Sequence, residues 1–137
     1  MKKLILVLLS LLLLPLSSAI AAAPLPRQSV ESFFSAVING KIAEGYDQLF
    51  AGSSIPQDKP QAVASLKQQT QSGLPLLGKI AGFEQISEEK FGSSIVRYVY
   101  VLKSEKGPTL WEFFFYKPND SWFLGNVVFS YEFTSLR

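Results

Sequence analysis

The chain has 137 residues, with 13 basic and 11 acidic side chains, and it contains neither Cys nor His. This length predicts one domain, and the missing residue types exclude disulfides, thiol or Ser–His catalysis, and metal sites built from thiolate or imidazole. A net charge of only +2 leaves no basic surface of the kind that binds nucleic acid, so we predict no metal, no cofactor and no nucleic-acid partner.

The N-terminal segment has the three parts of a secretory signal peptide: a basic start, an apolar run from Leu4 to Leu16, and small residues at Ala19 and Ala21. We predict a cleaved signal peptide over residues 1–21, with the boundary at 21–23. The apolar run is shorter than a transmembrane helix requires, so no stable membrane anchor should remain after cleavage. An uncleaved anchor is the alternative. The leader carries two of the lysines, so the mature chain should be formally neutral. The signal peptide predicts that this mature chain is exported to a bacterial periplasm or secreted.

A single domain is predicted over residues 29–137, after a lead-in of residues 22–28. Ser29 is the expected N-cap of its first helix, and Gly40 follows the helix as a stop signal. The apolar residues of this segment recur at helical spacing and form one face: Val30, Phe33, Phe34, Val37 and Ile38.

Two further helices are predicted before the pattern changes. The second covers residues 41–50, where Gly45 lowers the helix propensity, so this helix should depend on tertiary packing. Asp58 is expected to cap the third helix, and Pro75 should end or bend it.

From Lys79 onward, alternating, β-branched and aromatic residues separated by polar turns predict four strands. Short turns between successive strands predict an antiparallel meander. Helices followed by strands are typical of an α+β fold, here N-terminal helices packed on one face of an antiparallel four-stranded sheet. The expected strands are residues 82–91, 95–103, 110–116 and 122–133.

Pairing Ser104 with Thr109 and Lys117 with Trp122 predicts two apolar faces for this sheet. One face then carries Tyr98, Tyr100, Leu102, Trp111, Phe113, Phe115, Trp122, Leu124 and Val128. The other carries Ile95, Val99, Val101, Leu110, Phe114, Phe123, Val127, Phe129 and Phe133, with Arg97, Glu112 and Tyr116 among them. The helices can cover one face only, so a partner subunit, a curled sheet edge or a ligand should cover the second.

Two stretches, VESFFSAVINGKIAEGYDQLF and WEFFFYKPNDSWFL, resemble the opening helices and the late hairpin of the nuclear-transport-factor-2-like superfamily, the cystatin-like α+β cone. The resemblance covers nearly all of the mature chain and is strongest with the small exported members. It implies that the sheet is curved and cone-like, with a conical pocket between helices and sheet, and it implies frequent dimerisation through the sheet. The family includes ketosteroid isomerase and scytalone dehydratase beside many binding modules, so the fold alone does not give a function.

The candidate ligand-binding residues are the aromatic side chains expected to line the cone and two charged neighbours: Tyr46, Tyr98, Tyr100, Trp111 and Phe113, with Glu112 and Arg97. They predict a non-catalytic module that binds a small apolar ligand or a protein and forms a homodimer through the sheet. In the alternative, Glu112 is the general acid/base of an isomerase- or lyase-like enzyme in an apolar pocket. Against that role stands the interpretation of Glu112 as an edge or interface carboxylate paired with Arg97 or a lysine. In a third hypothesis both faces are filled by core and dimer interface.

Overall fold

The computed structural model describes residues 24–133 and residue 136. The predicted signal peptide and its cleavage boundary at 21–23 lie outside the described residues. The described chain contains four α-helices, α1 (Pro26–Ile38), α2 (Ile42–Leu49), α3 (Ile55–Asp58) and α4 (Pro60–Gly73), and α4 runs into a 3₁₀ turn at Leu74–Leu77.

The first helix begins four residues earlier than predicted: its N-cap is Leu25, not Ser29, and Pro26 is its first residue. Proline has a fixed φ that suits the first helical position and lacks the N–H that would go unpaired there. Leu25 is the N-cap, and the Ser29 hydroxyl instead donates back to the Leu25 carbonyl at 3.4 Å. The last residues of the predicted lead-in are therefore helical.

The third predicted helix is α4; the short α3 before it was not predicted, and Asp58 ends α3 instead of capping α4. The Asp58 carboxylate accepts a hydrogen bond from Ser54 Oγ at 2.6 Å within the single turn of α3. Lys59 occupies the N-cap position of α4, and Pro60 begins that helix. The end of α4 at Gly73, two residues before Pro75, confirms the predicted stop.

Four antiparallel strands follow in the order β1-β2-β3-β4, so the predicted α+β fold and meander are confirmed. The sheet is open, and β1 and β4 are its two edges. The strand bounds are β1 Ile80–Phe91, β2 Ile95–Ser104, β3 Thr109–Tyr116 and β4 Phe123–Ser130.

The predicted register between β3 and β4 is correct only at the turn. Phe115 opposes Leu124 as expected, but the next pair is Phe114 with Asn126, so Gly125 is an extra residue on β4. Such a bulge exchanges the two faces for the rest of the strand. The predicted face is therefore wrong for three residues of β4.

Beyond the bulge, Val127 and Phe129 face the helices, while Val128 faces away from them. Val127 opposes Phe113 and Phe129 opposes Trp111. The prediction had these three β4 residues on the opposite faces. Between β2 and β3 the observed register differs from the predicted one by two residues, because Leu102 rather than Ser104 opposes Thr109. A shift of two residues leaves every side chain on its predicted face.

Candidate functional site

The core between the helices and the sheet is filled by aromatic side chains. Tyr46, Tyr100, Trp111 and Phe113, four of the predicted ligand-binding residues, are each 0–1% exposed. Phe33 of α1 packs among them, with ring centroids 4.8 Å from Tyr46, 5.5 Å from Trp111 and 5.8 Å from Phe113. In this structure the four side chains are buried in one aromatic cluster with Phe33.

The Tyr46 hydroxyl is used inside this core. It lies 2.8 Å from the Thr70 hydroxyl, which also lies 2.8 Å from the Leu66 carbonyl and donates to it. Burial raises the pKa of Tyr46 well above its usual value. The phenol thus ties α2 to α4 and has no free path to a ligand.

Tyr98 is the one predicted aromatic residue beside an open cavity. It lines a cavity of about 460 Å³ between the start of α1 and the β1–β2 hairpin, together with Leu25, Arg27 and Trp122. The Tyr98 hydroxyl donates to Glu88 Oε1 across 3.5 Å. We refer to this space as the mouth cavity.

Arg97 and Glu112 lie on the face of the sheet that points away from the helices, and they bind each other. Arg97 Nε and Nη2 donate to the same Glu112 oxygen, Oε2, at 2.9 and 2.8 Å. Arg97 Nη1 also contacts Glu89 of β1. The side chains of Arg97 and Glu112 are only 16% and 18% exposed.

The position of Glu112 bears on the enzymatic alternative. A buried general acid/base needs an apolar cavity beside it and no cation that occupies its oxygens. Glu112 opposes Val99 of β2 and Val128 of β4 on the outer face, and two guanidinium N–H groups bind its Oε2. The geometry matches the ion pair rather than a proton shuttle.

The outer face of the sheet carries an exposed apolar surface, which we call the outer patch. It consists of Phe91, Ile95, Tyr116 and Val128, which are 49%, 39%, 42% and 46% exposed, and the half-buried Phe114 and Phe123. Val99 and Leu110 on the same face are 1% exposed, although they stand outside the core that the helices pack against. The prediction of two apolar faces is therefore confirmed for the described sheet.

A second concave surface lies between α4 and the free edge of β4, and we call it the edge groove. Its volume is about 430 Å³, and its walls include Val63 and Leu66 of α4 and Gly125–Val127 of β4. Lys59 is the charged residue of its lining. Sequence reasoning missed this site, although the lack of any charged residue in β4 was a visible signal.

The described residues contain no group of three or more Asp or Glu side chains arranged to hold a metal ion. Within the same part of the chain, none of the helices has the length and apolar character needed to cross a bilayer. Among the surfaces of the described chain, the outer patch, the edge groove and the mouth cavity combine exposed apolar side chains with a face or cavity large enough for a partner or a ligand.

No protein-family model, no curated protein and no solved structure matches this chain. The resemblance to the nuclear-transport-factor-2-like superfamily therefore stays a prediction. The function must be argued from the geometry of these three surfaces.

Proposed function

We propose that this protein is a non-catalytic interaction module that forms a homodimer through the outer patch. The observation that carries the proposal is four large apolar side chains exposed together on one face of the sheet. A cluster of exposed apolar side chains on a small domain belongs to an interaction site more often than apolar side chains scattered singly do. A second copy is the partner that the chain itself provides.

The size of the face is compatible with a dimer. Four strands about 4.8 Å apart and about eight residues long cover about 500 Å². A standard interface buries about 800 Å² per partner, so the sheet face and a rim of hairpin residues would supply it. Phe91, Ile95, Tyr116 and Phe123 form one apolar row at the hairpin end of this face. The ion-paired Arg97 and Glu112 lie in the next two rows, so the interface would bury this pair together with the apolar row.

The charges on this face are also arranged for burial. Arg97 is held by Glu112 and Glu89, and Lys103 lies 3.7 Å from Glu84 nearer the edge. A charge that is already paired costs less to bury than a free one. In a two-fold dimer these polar groups would orient the copies, and the aromatic residues would supply most of the affinity.

Small-ligand binding is the second candidate, and the mouth cavity carries it. Its volume of about 460 Å³ lies within the usual range for ligand pockets, about 300–1,000 Å³. Leu25, Trp122 and Tyr98 supply apolar wall, while Arg27 and Glu88 supply polar contacts. A ligand here would contact only Tyr98 of the seven predicted site residues.

The dimer is tested with two matched substitutions, Ile95→Lys and Ile38→Lys. Ile95 lies in the outer patch and is 39% exposed, whereas Ile38 lies at the end of α1 and is 41% exposed. Burying the exposed part of an isoleucine contributes about 1 kcal/mol per copy, and a two-fold interface counts it twice. Ile95→Lys should therefore raise the dimer dissociation constant at least about 30-fold, and Ile38→Lys should leave it unchanged.

Sedimentation velocity over a range of concentrations measures both constants. A dimer that Ile95→Lys dissociates and Ile38→Lys preserves supports the proposal. A wild-type protein that stays monomeric at the highest soluble concentration contradicts it. A dimer that both variants weaken equally would place the interface elsewhere.

A further inference from the structure

The two edge strands of the sheet differ in how they are protected from further pairing. β1 carries Glu84, Glu88, Glu89 and Lys90 and two irregularities in its pairing with β2. Charged residues and bulges of this kind prevent another strand from adding to an edge. β1 is therefore closed to a fifth strand.

β4 lacks this protection along most of its length. Its sequence FLGNVVFS contains neither a charged residue nor proline. After the bulge at Gly125, the five residues Asn126–Ser130 pair with β3 in uninterrupted register. β4 is the last strand in the sheet order, so its outward edge presents backbone N–H and C=O groups that no strand of the described chain pairs.

The edge groove lies directly beside this unpaired edge. Gly125 and Asn126 are exposed, and they form one wall together with Val127. Val63 and Leu66 of α4 form the opposite, apolar wall. A strand added to β4 would direct every second side chain into this groove, and the volume of about 430 Å³ accommodates a few such side chains.

We propose that the β4 edge binds an extended peptide segment of a partner protein as a fifth antiparallel or parallel strand. Main-chain hydrogen bonds to β4 would supply affinity, and apolar side chains at alternate positions would enter the edge groove. An acidic residue of the segment would complement Lys59, for which the structure records no ion pair within the described residues. This site is independent of the dimer through the outer patch.

The edge groove favours a free peptide over a second copy of β4. Of the inward side chains of β4, Leu124 and Val127 are 0% and 9% exposed and Phe129 is half-buried, because all three pack in their own core. A second copy pairing through its β4 would therefore bring no side chain for the groove. An unfolded or terminal segment keeps both rows of side chains available, so it can form the backbone bonds and fill the groove together.

The probe is a synthetic fluorescent peptide, Asp-Ser-Val-Thr-Leu-Thr-Val-Ser, which alternates apolar and polar residues behind one acidic residue. Two control peptides keep every side chain but carry N-methyl groups, one on the odd-numbered backbone nitrogens and one on the even-numbered ones. Only one of these two rows can face β4. Binding to a strand edge should therefore be abolished by one methylation pattern and survive the other.

Two exposed alanines of α4 provide matched protein variants. Ala62 lines the edge groove, whereas Ala64 does not, and both are exposed, so neither substitution disturbs the core. Ala62→Lys should weaken peptide binding at least about tenfold because the longer side chain occupies space that the apolar side chains of the peptide would enter. Ala64→Lys should change it less than about twofold, and Lys59→Gln should weaken it about two- to fivefold.

Fluorescence anisotropy measures the affinities, and amide chemical shifts locate the peptide. Shifts confined to β4 and α4, with the methylation and alanine pattern described, support the proposal. Equal binding of both methylated peptides, or no binding at millimolar peptide, overturns it. Amides of β4 that are all protected from hydrogen exchange without peptide would also overturn it, since a second copy or another segment of this chain would then already pair the edge.

Discussion

The pair of Arg97 and Glu112 allows the sharpest test of how this sheet face is held together. We consider three variants: Arg97→Leu, Glu112→Leu and the double substitution. The Arg97 guanidinium binds two carboxylates, those of Glu112 and Glu89, whereas the structure records only Arg97 as a side-chain partner of Glu112. The two single variants are therefore not equivalent.

Loss of Arg97 leaves the Glu112 side chain, which is only 18% exposed, without a cation beside it. Three charge-assisted hydrogen bonds are lost, two to Glu112 and one to Glu89, and the Glu112 carboxylate is left among apolar side chains, which should cost about 2–3 kcal/mol of unfolding free energy. Loss of Glu112 leaves Arg97 bound to the half-exposed Glu89, so the cost should be about 1–2 kcal/mol. The double variant places two leucines beside Val99 and Val128 and should cost less than about 1 kcal/mol.

Urea unfolding followed by the fluorescence of the two tryptophans measures these free energies. All variants are compared at one protein concentration, because a dimer makes the midpoint depend on concentration. The expected order of destabilisation is Arg97→Leu, then Glu112→Leu, then the double variant. A double variant whose loss equals the sum of the two single losses would refute the ion-pair interpretation, as would a larger loss for Glu112→Leu than for Arg97→Leu.

Two further predictions concern the core and the alkaline limit of stability. Gly45→Ala should destabilise the protein by about 1 kcal/mol, although alanine is the better helix former. The added methyl would lie 3.0 Å from the Ala36 Cβ of α1 and overpack this contact. A higher urea midpoint for the variant would contradict this close approach. Burial raises the pKa of Tyr100 to about 12, and it raises the pKa of Tyr46 and Tyr98 in the same direction. Unfolded tyrosine ionises near pH 10, so the contribution of Tyr100 to stability should be fully present below that pH and fall by at most about 1.4 kcal/mol per pH unit between about pH 10 and 12, with Tyr46 and Tyr98 acting in the same direction. Urea midpoints at stepped pH with tyrosinate absorbance check this, and a midpoint that stays constant to pH 11.5 would refute it.

The local patterns of the chain predicted the elements and their order well. Helical spacing from Val30 to Val37 and β-branched or aromatic alternation from Ile95 onward depend only on neighbouring residues, so each could be read from a short window. The same windows mislocated the ends of elements. Pro26 started α1 and Lys59, not Asp58, preceded α4, because capping depends on backbone geometry that several candidate residues can satisfy.

The register of β4 was beyond sequence reasoning. Gly125 is compatible with a regular strand or a bulge, and only the packing of Val127 and Phe129 against the core selects the bulge. Gly45 is a second glycine whose role only tertiary packing decides. Its low propensity predicted a weak helix, whereas the structure uses its missing side chain to bring α2 against Ala36 of α1.

The sequence by itself determined the fold class, the absence of thiol and imidazole chemistry, and the two apolar faces of the sheet, because composition and periodicity are local properties. Only the tertiary structure decided which aromatic residues are core and which are surface. Phe33 packs in the core beside Tyr46 and Trp111, and Arg97 occupies Glu112 on the opposite face. Whether a pocket is open or filled depends on side chains that the fold brings together from distant segments. The spacing of residues along the chain does not show which of these side chains will meet.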